Sequence, residues 1–166
     1  MGFRYVELEN WPGEPDPEAF RGVIIHSELE PTGRFECSDP LLNRLQANIV
    51  WGQKVNFVDV PTDCPQRDER LGWTGDAQVF IRTATINRDV AAFFTKWLRD
   101  LAAEQAVSGG IVPMIVPALP KLVPAIPFAG WGDAAVVVPW VIYERTGDSS
   151  VLADQFDSMK IGRAHV

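Results

Sequence analysis

Residues 88–110 read RDVAAFFTKWLRDLAAEQAVSGG. Val90, Phe94, Trp97, Leu98 and Leu101 recur at spacings of three and four, so they fall on one face of a helix running from Arg88 to Ala106. Ser108-Gly109-Gly110 ends it, because glycine readily adopts the backbone that closes a helix. Upstream, Ser38-Asp39-Pro40 is a helix start, an oxygen-bearing cap followed by a proline in the first turn, and Leu42, Leu45 and Ile49 then share a face. Asp76 is placed to cap a helix through about Thr85. Downstream, Asp133 is placed to cap a helix to Thr146, with Pro139 as a kink and Gly147 as the stop, and Asp148 to Lys160 reads as a last, interrupted helix.

Between these helices lie two long connections. Residues 56–75 are polar and carry Pro61, Pro65, Gly72 and Gly75, which predicts an irregular loop. Residues 111–130 are apolar and punctuated by prolines, and a connection of that length points to function. At the other end of the chain, residues 3–8 (FRYVEL) and 22–29 (GVIIHSEL) alternate and predict strands, around a loop carrying Pro12, Gly13, Pro15 and Pro17. Two strands do not make a stable sheet, so they are expected to be the edge of something larger. Consecutive helices without strand–helix alternation exclude a parallel α/β fold and predict a mainly α chain.

The length, 166 residues, is that of about one domain, and 46% hydrophobic with 22% charged residues excludes a disordered chain. A net charge of −7 without a basic stripe excludes nucleic acid and anionic lipid as partners. Two cysteines, Cys37 and Cys64, and two histidines, His26 and His165, supply neither a disulfide framework nor a zinc spacing. The opening MGFRYVELEN lacks the apolar core of a signal peptide. The apolar stretch 109–140 is broken by six prolines and Lys121, which excludes a membrane helix. The final IGRAHV does not continue the preceding pattern. With Lys160 it is the translation of AAG ATC GGA AGA GCA CAC GTC, DNA that looks like the start of a sequencing-library adapter. Residues 161–166 are therefore expected to be artefact and the protein to continue past Lys160; the alternative is a natural basic tail.

Chemistry concentrates in residues 63–76, DCPQRDERLGWTGD. Charges of both signs on a Gly/Pro-rich loop can converge on a polar ligand, carboxylates accept hydrogen bonds from sugar hydroxyls, and a tryptophan offers a platform for the C–H face of a sugar. The competing reading is a solvated, salt-bridged loop in which Arg67 and Arg70 merely partner Asp68 and Glu69, and Asp76 is only a cap. Cys64 has acidic neighbours and no nearby histidine base, which argues against a nucleophile. Trp131-Gly132-Asp133 is a second constellation, open between sugar contact and simple helix entrance. Trp97, Trp140 and Trp51 read as core residues, and His26 as a surface or satisfied histidine.

Residues 35–80, FECSDPLLNRLQANIVWGQKVNFVDVPTDCPQRDERLGWTGDAQVF, closely resemble the bacterial α-L-rhamnosidases of glycoside hydrolase family 78, and the resemblance extends through AAFFTKWLRDL and GWGDAAVVVPWVIYERTGD and back to FRYVELENWPGEP. It implies the first part of an (α/α)6 toroid over residues 36–160, preceded at 1–35 by the last strands of a β-sandwich domain. It implies inverting hydrolysis that releases L-rhamnose from a rhamnose-containing glycoside or oligosaccharide, without a cofactor. By motif position Glu69 is the general acid, Asp63, Arg67, Asp68, Trp73 and Asp76 are substrate-binding, and Trp131 is an aromatic wall. Carboxylates at 63, 68 and 76 favour a proton on Glu69, while Arg67 opposes it. An inverting enzyme also needs a base about 6.5–9.5 Å from the acid. The family's base is a glutamate far downstream, beyond Lys160, so the chain alone is expected not to hydrolyse rhamnosides. The alternatives are a non-catalytic carbohydrate-binding or scaffold protein on the same segment, and a helical-toroid glycosidase for another sugar.

Overall fold

The computed structural model describes residues 3–164, the last four by backbone alone. Five helices carry the fold: α1 (Pro40–Asn56), α2 (Thr74–Asn87), α3 (Ala91–Val107), α4 (Ala134–Thr146) and α5 (Ser150–Ala164). A small antiparallel hairpin, β1 (Phe57–Val58) and β2 (Val60–Pro61), follows α1 and turns on Asp59, whose φ is 65°.

Helix α4 is central and touches α2, α3 and α5. Its sequence, AAVVVPWVIYERT, is apolar on nearly every side, as a helix surrounded by others must be. Ala134, Ala135, Val138, Val141 and Ile142 are buried on it, and Gly147 ends it in the left-handed conformation, as the sequence predicts. Against it pack Ala77, Ile81 and Ala84 of α2 and Phe94, Trp97, Leu98 and Leu101 of α3. The β1 residue Phe57 enters the same core, stacked on Phe93 with centroids 4.8 Å apart, and Phe94 bridges edge-on from Phe93 to Trp97. Two polar sets stitch the helices together. Ser158 Oγ donates to Gln105 Oε1 at 2.7 Å between α5 and α3. Asn87 of α2 donates to Gln53 Oε1 at 3.1 Å and accepts from Gln46 Nε2 at 2.9 Å, both on α1.

Several expectations need correction. Helix α3 starts at Ala91, not Arg88: Arg88 is extended and pairs with Pro31, its guanidinium donates to the Leu29 carbonyl, and Asp89 N donates to Glu30 O. The strands expected at 3–8 and 22–29 do not form, because a strand exists only through a paired neighbour and neither segment finds one. Among the described residues, 3–35 therefore contribute no sheet; their ties to the helices include Ser27 N to Phe57 O at 2.8 Å and Thr32 Oγ1 to Ile86 O at 2.9 Å.

Trp51 and Trp140 are 52% and 45% exposed rather than core, and Leu42 and Leu45 of α1 are also exposed. Helical periodicity marks a face suited to burial; it does not supply the partner. Asp76 lies inside the first turn of α2, and Trp73 holds the cap position without a side-chain cap. Asp133 holds the α4 cap position but makes no capping hydrogen bond, since its own backbone is already helical. Helix α5 runs unbroken from Ser150 to Ala164. The expectation for 161–166 falls partly outside the described residues, at 165 and 166. No helix among the described residues is long and apolar enough to cross a membrane.

Candidate active site

The loop between the hairpin and α2 is shaped by backbone pairing at both ends. Asp63 N donates to Leu71 O, and Leu71 N returns a hydrogen bond to Asp63 Oδ1, each at 3.1 Å, which closes residues 63–71 into a compact turn. Beyond it, Val116 N donates to Gly72 O and Thr74 N to Met114 O, both at 2.9 Å, with Trp73 paired to Ile115 between them. The start of the 111–130 loop thus runs along residues 72–74 and fixes Trp73. The buried Thr74 hydroxyl adds bonds to the Pro113 and Met114 carbonyls.

At the closed turn five side chains meet. Trp73 Nε1 donates to Glu69 Oε1 at 2.6 Å. The Arg67 guanidinium pairs with Glu69, approaches Asp63 Oδ2 at 3.7 Å, and donates from Nε to Cys64 Sγ at 3.2 Å. Contact with Cys64 first, then the negative charge of Glu69 and Asp63, raises the Arg67 pKa, so this arginine stays charged. Asp63, Cys64 and Glu69 present donor atoms within 4.8 Å of one another, a spacing that could hold a cation, but Arg67 touches all three and is the cation there.

Next to this cluster is a cavity of about 600 Å³, within the ~300–1,000 Å³ common for small-ligand sites. Asp63 lines it together with Gly75, Asp76 and Gln78 of α2, Gln53 of α1, Phe57 of β1 and Trp131. Asp63 therefore belongs to both the cluster and the cavity. Burial, then Asp63, and to a lesser degree Glu69, raise the Asp76 carboxyl above its ordinary range. Part of Asp76 remains open to solvent.

The sequence-predicted residues thus divide. Asp63, Asp76 and Trp131 line the cavity; Glu69, Arg67 and Trp73 form the adjoining cluster. Trp73 acts here as a hydrogen-bond donor to Glu69 rather than as a free platform. Asp68 joins neither group: it is exposed and makes no hydrogen bond or ion pair among the described residues, because the turn that directs residues 67 and 69 together leaves the one between them outside. Sequence reasoning missed Gln53, Gln78 and Gly75. Gly75 carried a signal, a glycine in the first turn of a helix; the two glutamines carried none.

A folded-state carboxyl that holds its proton more tightly than the unfolded chain stabilises the fold at acid pH. That contribution is lost as pH rises from the unfolded value near 3.8 through the raised one. Asp76→Asn is therefore expected to raise Tm at pH 7, by about 1–2 °C given the solvent screening of a part-exposed group. It should leave Tm unchanged at pH 3, where Asp76 is already neutral. Melting curves at the two pH values check both halves of this expectation.

The similarities to known proteins make the chain part of a six-hairpin glycosidase fold. The model of the bacterial alpha-L-rhamnosidase 6 hairpin glycosidase domain matches residues 30–162, and the chain belongs to that family. It is 46% identical over 166 residues to an α-L-rhamnosidase of Formosa agariphila, covering 99% of this chain and 18% of that protein. It is 48% identical over 158 residues to one of Streptomyces avermitilis, covering 95% of this chain and 15% of that protein. The chain thus spans less than a fifth of the length of these curated relatives. Among solved structures, the S. avermitilis α-L-rhamnosidase complexed with L-rhamnose superposes with a TM-score of 0.83 at 45% identity, over 92% of this chain and 14% of that one. The native enzyme of Aspergillus terreus does so with 0.78 at 46%, over 82% and 16%. The mainly α fold expected from the sequence, as part of an (α/α)6 toroid, agrees with these relatives.

Proposed function

We propose that this chain supplies the acid side of the catalytic site of an inverting α-L-rhamnosidase. The observation that carries the reading is the convergence of Asp63, Glu69 and Asp76, with Arg67 and Trp73, beside the cavity that Trp131 walls. The solved relative that holds L-rhamnose lends the sugar its identity.

Glu69 is the general acid that gives its proton to the departing glycosidic oxygen. In this structure its carboxylate is paired with Arg67. Arg67 has a second acceptor at hand in Asp63 Oδ2, 3.7 Å away, so turning toward Asp63 frees Glu69 while Trp73 Nε1 keeps the carboxyl in place. Asp63 and Asp76 accept hydrogen bonds from sugar hydroxyls. The Trp131 ring packs on the C–H face and methyl group of the deoxysugar, which a purely polar wall would reject. The base that activates water belongs to a part of the polypeptide outside these 166 residues.

The test is turnover of an aryl α-L-rhamnoside, followed by NMR of the first sugar released. A full-length polypeptide carrying this segment is expected to release the β anomer, and the isolated chain is expected to release nothing. Release of the α anomer would contradict inversion, and turnover by the isolated chain would show that the base lies within it.

A further inference from the structure

Gly75 is the second residue of α2, a position where alanine is the better helix former. Its backbone is not left-handed, so conformation does not call for glycine; the space around it does. A Cβ on Gly75 would lie 2.9 Å from Cε2 and Nε1 of Trp131 and 3.0 Å from Cδ2. The indole therefore rests against the bare Cα of the first turn of α2, and its Nε1 is buried there without a hydrogen-bond partner. Phe128 meets the ring edge-on, with centroids 5.0 Å apart and planes at 89°. One turn further along α2, Gln78 Nε2 donates to Gly130 O at 2.8 Å and so holds the residue before Trp131. Gly132 N closes the turn onto Phe128 O at 3.0 Å.

We propose that Gly75 and Gln78 are positioning residues that seat Trp131 as a wall of the cavity, Gly75 through its missing Cβ and Gln78 through the Gly130 carbonyl. The inference rests on the reading of that cavity as the rhamnoside subsite. A methyl group at 75 lifts the ring off α2 and narrows the space the sugar occupies. Glu69, held by Trp73 and Arg67 in the adjoining cluster, does not touch the altered contact, so the chemistry is left nearly untouched.

The experiment uses the full-length polypeptide carrying this segment, with an aryl α-L-rhamnoside as substrate. Gly75→Ala is expected to raise KM about tenfold while kcat changes less than about threefold. Tm is expected to fall modestly, since displacing the packed indole outweighs the helix preference of alanine. Gln78→Ala, which frees Gly130 without adding bulk, should move KM in the same direction. In a Trp131→Ala background, where no ring is left to meet the Cβ, Gly75→Ala should raise KM no further. Incorporated 5-fluorotryptophan gives a readout independent of turnover: the Trp131 resonance, assigned by its loss in Trp131→Phe, should shift in Gly75→Ala. An unmoved resonance, or an equal KM rise in the Trp131→Ala background, overturns the proposal. If the unsubstituted polypeptide fails to cleave rhamnosides, the functional reading falls, and the fluorine resonance alone still decides whether Gly75 seats the ring.

Discussion

Glu69→Gln in the full-length polypeptide is expected to lower kcat about a thousandfold on a rhamnoside with a poor leaving group, close to ~4 kcal/mol of lost transition-state stabilisation. The amide oxygen of glutamine can still accept from Trp73 Nε1, so the side chain keeps its seat, and KM should move little. On the proposed role, what it loses is the proton to donate. The size of the loss should therefore depend on the leaving group: an acidic phenol departs as its anion without help, and there the deficit should shrink to about tenfold. Measuring kcat for a series of aryl rhamnosides of graded leaving-group acidity checks this. The same deficit for every leaving group would make Glu69 a structural or binding residue and remove it as the acid.

Gly72→Ala is expected to cost about 3 kcal/mol or more of stability, seen as a Tm about 6–12 °C lower. A Cβ at this position overlaps the Val116 carbonyl oxygen. Neither partner can swivel away, because both belong to the backbone and Val116 N donates to Gly72 O at 2.9 Å. The Val116 carbonyl also accepts from the buried Trp97 Nε1 at 3.2 Å, so pushing it aside strands an indole donor in the core. The damage reaches the site through Trp73, which the same pairing fixes. Gly52 in α1 is the control: a Cβ there meets nothing within 4 Å, and Gly52→Ala should be neutral or stabilising by up to about 1 kcal/mol. Equal Tm losses at both glycines would show that the clash is not the cause.

How far this was legible in the sequence follows from which interactions are local. Helices α3 and α4 show themselves, because Phe94, Trp97, Leu98 and Leu101 repeat at helical spacing and Gly147 supplies the stop. Residues 63–76 stand out as the chemical segment, because their charges, glycines and tryptophan are neighbours in the chain. What the sequence hides depends on distant partners. Phe57 looks like part of a polar loop until Phe93 arrives to stack on it. Trp51 and Trp140 carry the apolar signal of core residues, yet among the described residues about half of each stays uncovered. Within the dense segment, composition cannot tell Asp68 from Asp63. Only the bond from Leu71 N, which closes the turn, turns Asp63 inward. The role of Gly75 likewise appears only once Trp131, more than fifty positions away, lies against it.

The amides that join α1 to α2 have a consequence for how the two helices find their alignment. Apolar surfaces tolerate sliding, since one leucine in a groove is nearly as good as another. The Gln46–Asn87–Gln53 chain does not: Asn87 uses its oxygen for one glutamine and its nitrogen for the other, and Gln53 also reaches the Ala84 carbonyl at 3.3 Å. Sliding α1 by a single turn would break every one of these bonds at once and leave buried amide groups facing hydrocarbon. The ladder therefore works as a vernier: it admits one setting of α1, and it keeps Gln53 at the wall of the cavity that Asp76 and Gln78 also line.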